Sequence, residues 1–319
     1  MRPRLLFLWP EFLDDNSELS RQLASFADFD APLLSSDELP GAVGDYDILV
    51  PRIEHEVDTV VLDAGKRLRM IGTPSTGTDH IAVAEAERRG LQIVCLKHER
   101  EFLDTVQTTA ELAWLLILSC NRNMRAAMKH VEAGEWESQT LRGHEMYGRT
   151  LGIIGYGRLG TMVSRFAHAF RMNVIASDPE VIPDTWVRRV SQEQLLAEAD
   201  VVTLHVHLTE ATRGMIGAEQ FAQMKPGAYL VNTSRGGLID EDALVESLGS
   251  GRLAGAGLDV VSGERDEDRT SRPLFRYAAA HDNLIITPHI GGVTREAQPR
   301  ATLHLAGMLK AAWDGIESN

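Results

Sequence analysis

The sequence predicts an α/β protein in which a doubly wound domain with a parallel sheet is inserted into a smaller, discontinuous α/β domain. Short apolar runs alternate with amphipathic segments along most of the chain. A glycine-rich turn lies between a strand and a helix near the middle, at 149–160. A final helical segment, 293–313, follows the last predicted strand. Alternation of this kind indicates parallel strands that are covered by helices on both faces.

The first hundred residues predict one small α/β unit. Ser17 is expected to cap the first helix, and Gly90 to end the third. The simplest closure returns helix 293–313 to this unit, which then becomes a flavodoxin-like domain formed by residues 1–98 and 291–319. We expect its strands at 5–9, 46–50, 69–72 and 91–96, and its helices at 17–27, 57–64 and 81–89.

Residues 101–129 contain no glycine or proline and are rich in helix-forming residues. They predict one strongly apolar helix, centred on the leucines at 112, 115 and 116. A helix of this kind is buried in a core or in a subunit interface. We expect it to connect the two domains and to help form a homodimer.

Residues 99–290 predict a complete dinucleotide-binding domain. At 319 residues the chain is long enough for about two domains. Ligands of such sheets bind at the carboxyl ends of the strands. We expect strands at 150–154, 173–177, 200–205, 228–232, 254–258 and 283–286, and helices at 158–170, 191–198, 218–224 and 240–249.

The glycine-rich turn has the spacing G-x-G-x-x-G, carried by Gly155, Gly157 and Gly160. The first glycine makes the tight turn, the second lets a pyrophosphate approach the backbone, and the third lets helix and strand pack closely. The following helix offers free N–H groups to the phosphates. The turn, with Tyr156 inside it, therefore predicts a Rossmann dinucleotide site; the alternative is an ordinary glycine turn.

Asp178 ends the next predicted strand, 18 residues after Gly160. The expected spacing of the ribose-binding acid is about 20 residues. A carboxylate there would bond the ribose hydroxyls of NAD and repel the 2′-phosphate of NADP. The sequence therefore predicts NAD as cofactor, and the alternative is a surface aspartate.

Three side chains that suit acid–base and carboxylate chemistry follow strands of this domain. Arg235 lies in a glycine-flanked loop, where it could bind a carboxylate bidentately. His289, between a proline and two glycines, suits a general acid–base beside the carboxylate of Glu264, which comes five residues after Asp259. Taken singly, Arg235 could be an exposed loop arginine and His289 a hydrogen-bonded loop histidine.

A fourth segment follows strand 69–72 in the first domain. Ser75, Thr76 and Gly77 form a small-residue turn whose successive N–H groups could make an anion nest for a substrate carboxylate. Together the four segments indicate hydride transfer between NAD and a small 2-hydroxy or 2-oxo acid. Arg235 and the nest would hold the acid, His289 would move the proton, and Glu264 would stabilise the imidazolium.

The chain resembles the D-isomer-specific 2-hydroxyacid dehydrogenases, the family of phosphoglycerate dehydrogenase and of glyoxylate and hydroxypyruvate reductases. The likeness is densest in GRTLGIIGYGRLG, in MKPGAYLVNTSRGGLIDEDALVESLGSGRLAGAGLDV and in NLIITPHIGG. It implies catalytic roles for Arg235, Glu264 and His289, and a dimer packed through the long helix region. Implied NAD contacts are Arg158, Leu159, Asp178, Thr233, Ser234, Asp259 and Gly291, and Thr76 and Gly77 would touch the nicotinamide side or the substrate.

The sequence also departs from the family pattern. His207 stands where proline is common, and His205 and His207 suggest a metal pair without a third ligand, so we expect no metal and place both at the NAD cleft. Arg265 and an acidic stretch that we expect to be mobile follow Glu264. Arg52 could contact a distal phosphate or a second carboxylate, or be a surface arginine. We expect no C-terminal regulatory domain.

Composition excludes several other classes of protein. The net charge of −14 argues against a nucleic-acid binder, and no apolar run reaches membrane-spanning length. The apolar start is broken by Pro10 and predicts a strand, not a signal peptide. Cys95 and Cys120 predict buried thiols in a reducing, cytoplasmic compartment. The alternative function is an NAD(H)-sensing, corepressor-like binding protein; no feature selects formate or phosphite oxidation.

Overall fold

The structure, a computed structural model, describes residues 2–13, 17–181, 184–266 and 268–317. The chain divides into two compact units. One contains the residues up to Val106 together with those from Thr294 onward, and the other is Gln107–Val293. These boundaries lie a few residues farther along the chain than the expected ones at 98/99 and 290/291. Parallel-sheet α/β units confirm the predicted fold class.

The first unit, within its described residues, is built on a five-stranded parallel sheet of order β2-β1-β3-β4-β5. This is the flavodoxin order of doubly wound folds. The strands are β1 (Arg4–Phe7), β2 (Asp28–Asp30), β3 (Ile48–Val50), β4 (Met70–Thr73) and β5 (Gln92–Cys95). The helices are α1 (Glu18–Phe26), α2 (Leu39–Ala42), α3 (Thr59–Ala64), α4 (Val83–Arg88), α5 (Arg100–Leu103) and the C-terminal helix Ala297–Glu317.

Helices cover both faces of this sheet. Leu23 of α1 and Leu309 of the C-terminal helix are buried in the core of one face, and Val61 and Leu62 of α3 in that of the other. A Cβ on Gly72 would lie 2.8 Å from Leu309 Cδ2, so glycine lets the C-terminal helix close on β4. As predicted, Ser17 caps α1 by accepting a hydrogen bond from the N–H of Ser20.

The second unit, within its described residues, has a seven-stranded parallel sheet of order β12-β11-β10-β9-β6-β7-β8. This is the Rossmann order with one further strand, and its switch point lies between β6 and β9. The strands are β6 (Thr150–Ile154), β7 (Asn173–Ser177), β8 (Val187–Arg189), β9 (Val201–Leu204), β10 (Ala228–Asn232), β11 (Leu253–Leu258) and β12 (Leu284–Ile286). The helices are α6 (Thr108–Asn121), α7 (Met124–Glu132), α8 (Arg158–Ala169), α9 (Gln192–Glu198), α10 (Ala218–Gln223), α11 (Glu241–Gly249) and α12 (Pro273–Ala280), so the C-terminal helix is α13.

The single helix expected over 101–129 is wrong. The segment forms α5, α6 and most of α7, and the break between α6 and α7 falls at Asn123, whose φ is 51°. Asparagine tolerates this left-handed conformation better than most residues. The helix ends there and a new one begins, so the apolar run and the amphipathic run that follows it belong to different helices.

The acidic stretch after Glu264 contains helical structure in its described residues. Glu267 lies outside the described residues, but a short 3-10 helix covers Arg269–Ser271 and α12 begins directly at Pro273. Proline suits the first turn of a helix because its missing N–H has no partner there. A crossover element is required here because β11 and β12 are parallel.

Three further observations concern membrane-spanning helices, metal-ligand sets and the burial of the two cysteines. None of the helices in the described residues has the length and hydropathy that a bilayer crossing requires. Within the same residues, no three His, Cys, Asp or Glu side chains gather as a metal-ligand set. Cys120 is buried, but Cys95 is only half-buried, contrary to prediction, because it ends β5 at the edge of its sheet.

Candidate active site

The three glycines of the turn after β6 occupy three different environments. Gly155 has a φ of 91°, and a Cβ there would lie 2.5 Å from the carbonyl oxygen of His205. A Cβ on Gly160 would lie 2.2 Å from the oxygen of Gly155, so α8 packs directly on the turn. A Cβ on Gly157 would have no atom within 4 Å. The open space is at the second glycine, where a pyrophosphate would approach the backbone.

The other residues expected in this turn differ in exposure. Tyr156 is buried, and its hydroxyl lies 2.9 Å from Ser164 Oγ. Arg158 and Leu159 open α8 and are half-buried, with Leu159 packed against the core. No side chain caps α8, so its first N–H groups face the open space at Gly157. The turn therefore fits the phosphates of a dinucleotide.

Buried polar atoms without hydrogen-bond partners mark the neighbouring strand ends. The β9 and β10 register pairs Leu204 with Asn232, which brings His205 beside Thr233. Among the described residues, His205 Nδ1 and Thr233 Oγ1 are buried without a partner. Burial lowers the pKa of His205 to about 4, so its ring is neutral. Unpaired atoms of this kind are expected where a ligand or ordered water completes the site.

Asp178 follows β7 and is held by its own loop. Its Oδ2 accepts a hydrogen bond of 2.8 Å from the N–H of Tyr156, and its Oδ1 accepts bonds from the N–H groups of Glu180 and Val181. Burial would raise the pKa of Asp178, but these three bonds and the charge of Arg189 hold it below the usual range. A carboxylate accepts about four hydrogen bonds. This leaves room on Oδ2 for a hydrogen bond from one ribose hydroxyl. The sequence predicted that the carboxylate would bond both hydroxyls.

His289 and Glu264 form a hydrogen-bonded pair. His289 Nδ1 lies 2.8 Å from Glu264 Oε1, and each side chain is about one-third exposed. Burial would raise the pKa of Glu264, but the bond and charge of His289, with the charges of Arg265 and Arg235, hold it below its usual value. Because a carboxylate can only accept, Nδ1 carries the proton and Nε2 of a neutral His289 is an acceptor.

The loop that carries Glu264 is anchored by residues that the sequence did not single out. Arg272 donates to the carbonyl of Ser262 and to Glu241 Oε2, the latter at 2.8 Å. The N–H of Ser262 donates to Glu241 Oε1 at 2.6 Å. Arg272 belongs to the acidic stretch after Glu264, so a side chain of that stretch helps to hold the Glu264 loop. The expected mobility of the stretch stays a prediction. Arg272 and Glu241 are isolated charged residues that belong to no motif or periodic pattern, so the sequence does not indicate their contact.

Arg235 follows β10 in a tightly packed loop. Asn232 Nδ2 donates to the carbonyl of Arg235 at 2.8 Å, and Asn232 Oδ1 accepts from the N–H of Ser234. Arg235 Nη1 donates to the carbonyl of Ser234 at 2.7 Å. A Cβ on Gly236 would lie 2.1 Å from the backbone carbon of Val261, so this loop lies directly against the loop after β11. Thr233 and Ser234 are both buried.

Asp259 organises the loop that carries His289. Its carboxylate accepts hydrogen bonds from Thr287 Oγ1 at 2.6 Å and from the N–H groups of Ile290 and Gly291 at 2.9 and 2.7 Å. Burial raises the pKa of Asp259 above its usual value, although these hydrogen bonds act to lower it. Every one of these contacts is with the loop, so Asp259 acts on the shape of the loop; whether it also contacts NAD stays a prediction.

The remaining expected residues lie in the first unit, at the carboxyl ends of β3 and β4. Ser75 Oγ donates to the carbonyl of Gly77 at 2.5 Å, and the turn with Thr76 is half-buried. Arg52 Nη1 pairs with Glu11 Oε1 at 2.8 Å. Nothing in the sequence singles out Glu11, because it follows a different strand.

Comparison with known proteins places the site in a family. Residues 114–291 match the model of the D-isomer specific 2-hydroxyacid dehydrogenase NAD-binding domain. The chain is 40% identical over 273 residues to a hydroxypyruvate reductase of Thermotoga maritima, covering 85% of this chain and 86% of that protein.

The chain belongs to the D-isomer-specific 2-hydroxyacid dehydrogenases.

Other members of the family are longer. A D-3-phosphoglycerate dehydrogenase of Methanocaldococcus jannaschii is 39% identical over 287 residues, covering 88% of this chain and 52% of that protein. The chain thus spans about half the length of such relatives. Among solved structures, a protein of Thermus thermophilus matches with a TM-score of 0.83 and 32% identity, covering 99% of this chain and 97% of that one.

A second solved structure carries the cofactor. It is the D-lactate dehydrogenase of Aquifex aeolicus complexed with NAD and lactic acid, with a TM-score of 0.83, 26% identity, and coverage of 98% of this chain and 96% of that one. The matched NAD-binding domain and the fit of the glycine turn agree that NAD is the cofactor of this dehydrogenase.

Proposed function

We propose that the protein interconverts a small D-2-hydroxy acid and its 2-oxo acid, with hydroxypyruvate, glyoxylate and pyruvate as the substrate class. The observation that carries the proposal is the His289–Glu264 pair, 2.8 Å apart, with Arg235 near enough for its charge to lower the pKa of Glu264. Arg235, Glu264 and His289 follow β10, β11 and β12, whose carboxyl ends share one edge with the glycine turn after β6.

His289 would move the proton through Nε2. Glu264 fixes the tautomer by accepting from Nδ1, so the neutral ring can take a proton from the substrate hydroxyl at Nε2. The Glu264 carboxylate then faces the imidazolium and stabilises it. In the reduction direction the same ring gives the proton back to the forming alkoxide.

Arg235 would bind the substrate carboxylate. A guanidinium has five N–H donors in a planar fork that matches a carboxylate, and Arg235 carries this group in the loop directly after β10. When bound at the glycine turn, NAD would supply the hydride acceptor for the carbon that bears the hydroxyl, and NADH would supply the hydride for the reverse reaction. For the turn at 75–77 in the first unit, carboxylate binding stays a prediction.

A substrate panel tests this function. NADH oxidation is measured with glyoxylate, hydroxypyruvate, pyruvate and 3-phosphohydroxypyruvate, and turnover of at least one unphosphorylated acid is expected. Tight NADH binding without turnover of any of them would favour the NAD(H)-sensing alternative.

We also propose a homodimer that uses α6 and α7. No residue of α7 is buried, yet Met124, Met128 and Val131 recur on one face of this helix and are exposed. Leu115 of α6 is 57% exposed, and Trp136, after α7, is 90% exposed. An apolar surface of this extent is expected to pack against a protein partner, and a second copy of the chain supplies a matching surface.

A further inference from the structure

We propose that Glu11 neutralises Arg52 and so makes the enzyme select against 2-oxo acids that carry a second negative charge, such as a distal phosphate. The inference concerns the substrate class and rests on the proposed function. It reverses the expectation that Arg52 would attract a phosphate or a second carboxylate.

The two residues meet at the ligand-binding edge of the first unit. Glu11 follows β1 and Arg52 follows β3, and these strands are parallel neighbours in the sheet. Arg52 Nη1 lies 2.8 Å from Glu11 Oε1, and Arg52 Nε lies 3.4 Å from Glu54 Oε2. Ligands of open α/β sheets bind at this carboxyl edge. The charge that an incoming acid meets there therefore includes both carboxylates.

Contacts with other residues fix Arg52 in this arrangement. Its guanidinium carbon lies 5.1 Å from the centre of the Trp9 ring, and Trp9 Nε1 donates to the carbonyl of Pro51 at 3.0 Å. The N–H of Arg52 donates to His55 Nδ1, while His55 Nε2 lies 2.9 Å from the carbonyl of Leu34. A carbonyl only accepts, so His55 Nε2 is the donor in this contact. The loop is thus held in place without a ligand.

The charges of this cluster oppose a phosphate. Two carboxylates and one guanidinium leave a net charge of −1, whereas a phosphate monoester carries about −1.5 to −2 at pH 7. A phosphate at Arg52 would compete with Glu11 for the guanidinium and would lie beside Glu54. Like charges placed together in a binding site disfavour the wrong ligand. A substrate with an uncharged side chain meets no such penalty.

The alternative is a surface ion pair with no role in selection. The side chain of Arg52 is 26% exposed and that of Glu11 is 41% exposed, so the pair itself adds little to stability. Thermal stability therefore does not distinguish the two explanations, but substrate selectivity does.

The first experiment measures kcat/KM with NADH for hydroxypyruvate and for 3-phosphohydroxypyruvate, two acids that differ only in the phosphate. The wild type is expected to prefer hydroxypyruvate. Glu11→Gln should raise the ratio of kcat/KM for the phosphorylated over the unphosphorylated acid by about tenfold, the change expected when one close like charge is removed. The double variant Glu11→Gln/Arg52→Gln should lose that gain, because it removes the released guanidinium.

Glu56→Gln is the matched control, since Glu56 lies in the same loop and is exposed but has no described contact with Arg52. Its ratio should equal that of the wild type. A wild type that prefers the phosphorylated acid, or a Glu11→Gln ratio that does not change, would overturn the inference.

A binding measurement separates this inference from the proposed function. Calorimetry compares D-glycerate with 3-phospho-D-glycerate on the enzyme–NADH complex, where no turnover is needed. Weaker binding of the phosphorylated acid to the wild type, relieved in Glu11→Gln, supports the inference even if no acid is turned over. Equal discrimination in both proteins contradicts it, while absent turnover with intact binding counts only against the proposed reaction.

Discussion

His289 is held in a backbone conformation that few side chains adopt. Its φ is 54°, and its N–H donates to the carbonyl oxygens of Asp259 and Thr287. Non-glycine residues with positive φ are uncommon, although histidine is among the more tolerant. The Asp259 carboxylate takes up the N–H groups that follow, so the whole loop is shaped before any substrate arrives.

Replacing the imidazole tests its assigned role. His289→Ala should lower kcat by a factor of roughly 10² or more, the scale of a general acid–base, and should leave NADH affinity nearly unchanged. Stopped-flow kinetics and NADH fluorescence titration measure the two quantities. His281→Ala, at an exposed histidine that contacts the carbonyl of Tyr277, is the control and should match the wild type. An unchanged kcat in His289→Ala would remove this residue from the mechanism.

Asp178 sets the expected choice between NADH and NADPH. Its pKa is held low by three N–H donors, so it is ionised at neutral pH and would repel a 2′-phosphate. Asp178→Asn should raise kcat/KM for NADPH relative to NADH by about tenfold or more. Glu180→Gln removes a charge two positions away and should leave the ratio unchanged. Equal kcat/KM for both cofactors in the wild type would refute the role of Asp178.

Among the helices and strands, the predicted bounds agree best with the structure for buried strands that are flanked by turn residues. β6, β7 and β10 begin and end at the predicted residues. Each lies between two neighbouring strands and is buried along most of its length, so its apolar run and the turn residues that flank it mark the same bounds. β2 and β8 were missed because they are three-residue edge strands with exposed positions, which leave no apolar pattern.

The junction of β6 and α8 allows a matched pair of substitutions. Gly160→Ala should destabilise the protein by about 1–3 kcal/mol even without cofactor, since its Cβ would overlap the oxygen of Gly155. Gly157→Ala should leave the thermal midpoint unchanged, because the space around it is open, yet weaken NADH binding by about tenfold or more by filling the place of the pyrophosphate.

Thermal unfolding of the cofactor-free proteins and NADH titration decide between the two effects. If Gly157→Ala bound NADH as tightly as the wild type does, the phosphates could not lie over this turn. If Gly160→Ala were as stable as the wild type, close packing of α8 on the turn would not be the reason for the third glycine.

For the whole molecule, the exposed apolar face of α7 makes the oligomeric state the relevant measurement. Sedimentation equilibrium should give a mass twice the 35.2 kDa of the chain. Met128→Asp/Val131→Asp should give the mass of one chain, because it places charges on the face proposed to be buried. Glu132→Gln, at an exposed position of the same helix, should remain a dimer. A wild type with the mass of one chain would contradict the proposed interface.

Local sequence was sufficient to establish the family, the α/β class and which chemical groups follow which strands. Glycine spacing, apolar runs and turn residues depend on the backbone dihedrals and burial of residues that are close in sequence. The structures that they indicate can therefore be predicted from the order of residues along the chain. The glycine turn after β6 is the clearest example, because the positive φ of Gly155 and the close approach of Gly160 to the oxygen of Gly155 both lie within six residues.

Which charged groups meet became known only from the folded chain. Glu264 and His289 are 25 residues apart, and their contact depends on the ends of β11 and β12 lying side by side. The sequence suggests Arg52 as a substrate contact, but the neighbouring end of β1 brings Glu11 to it. An ion pair depends on where distant strands end in space, and no periodicity of the chain encodes that distance.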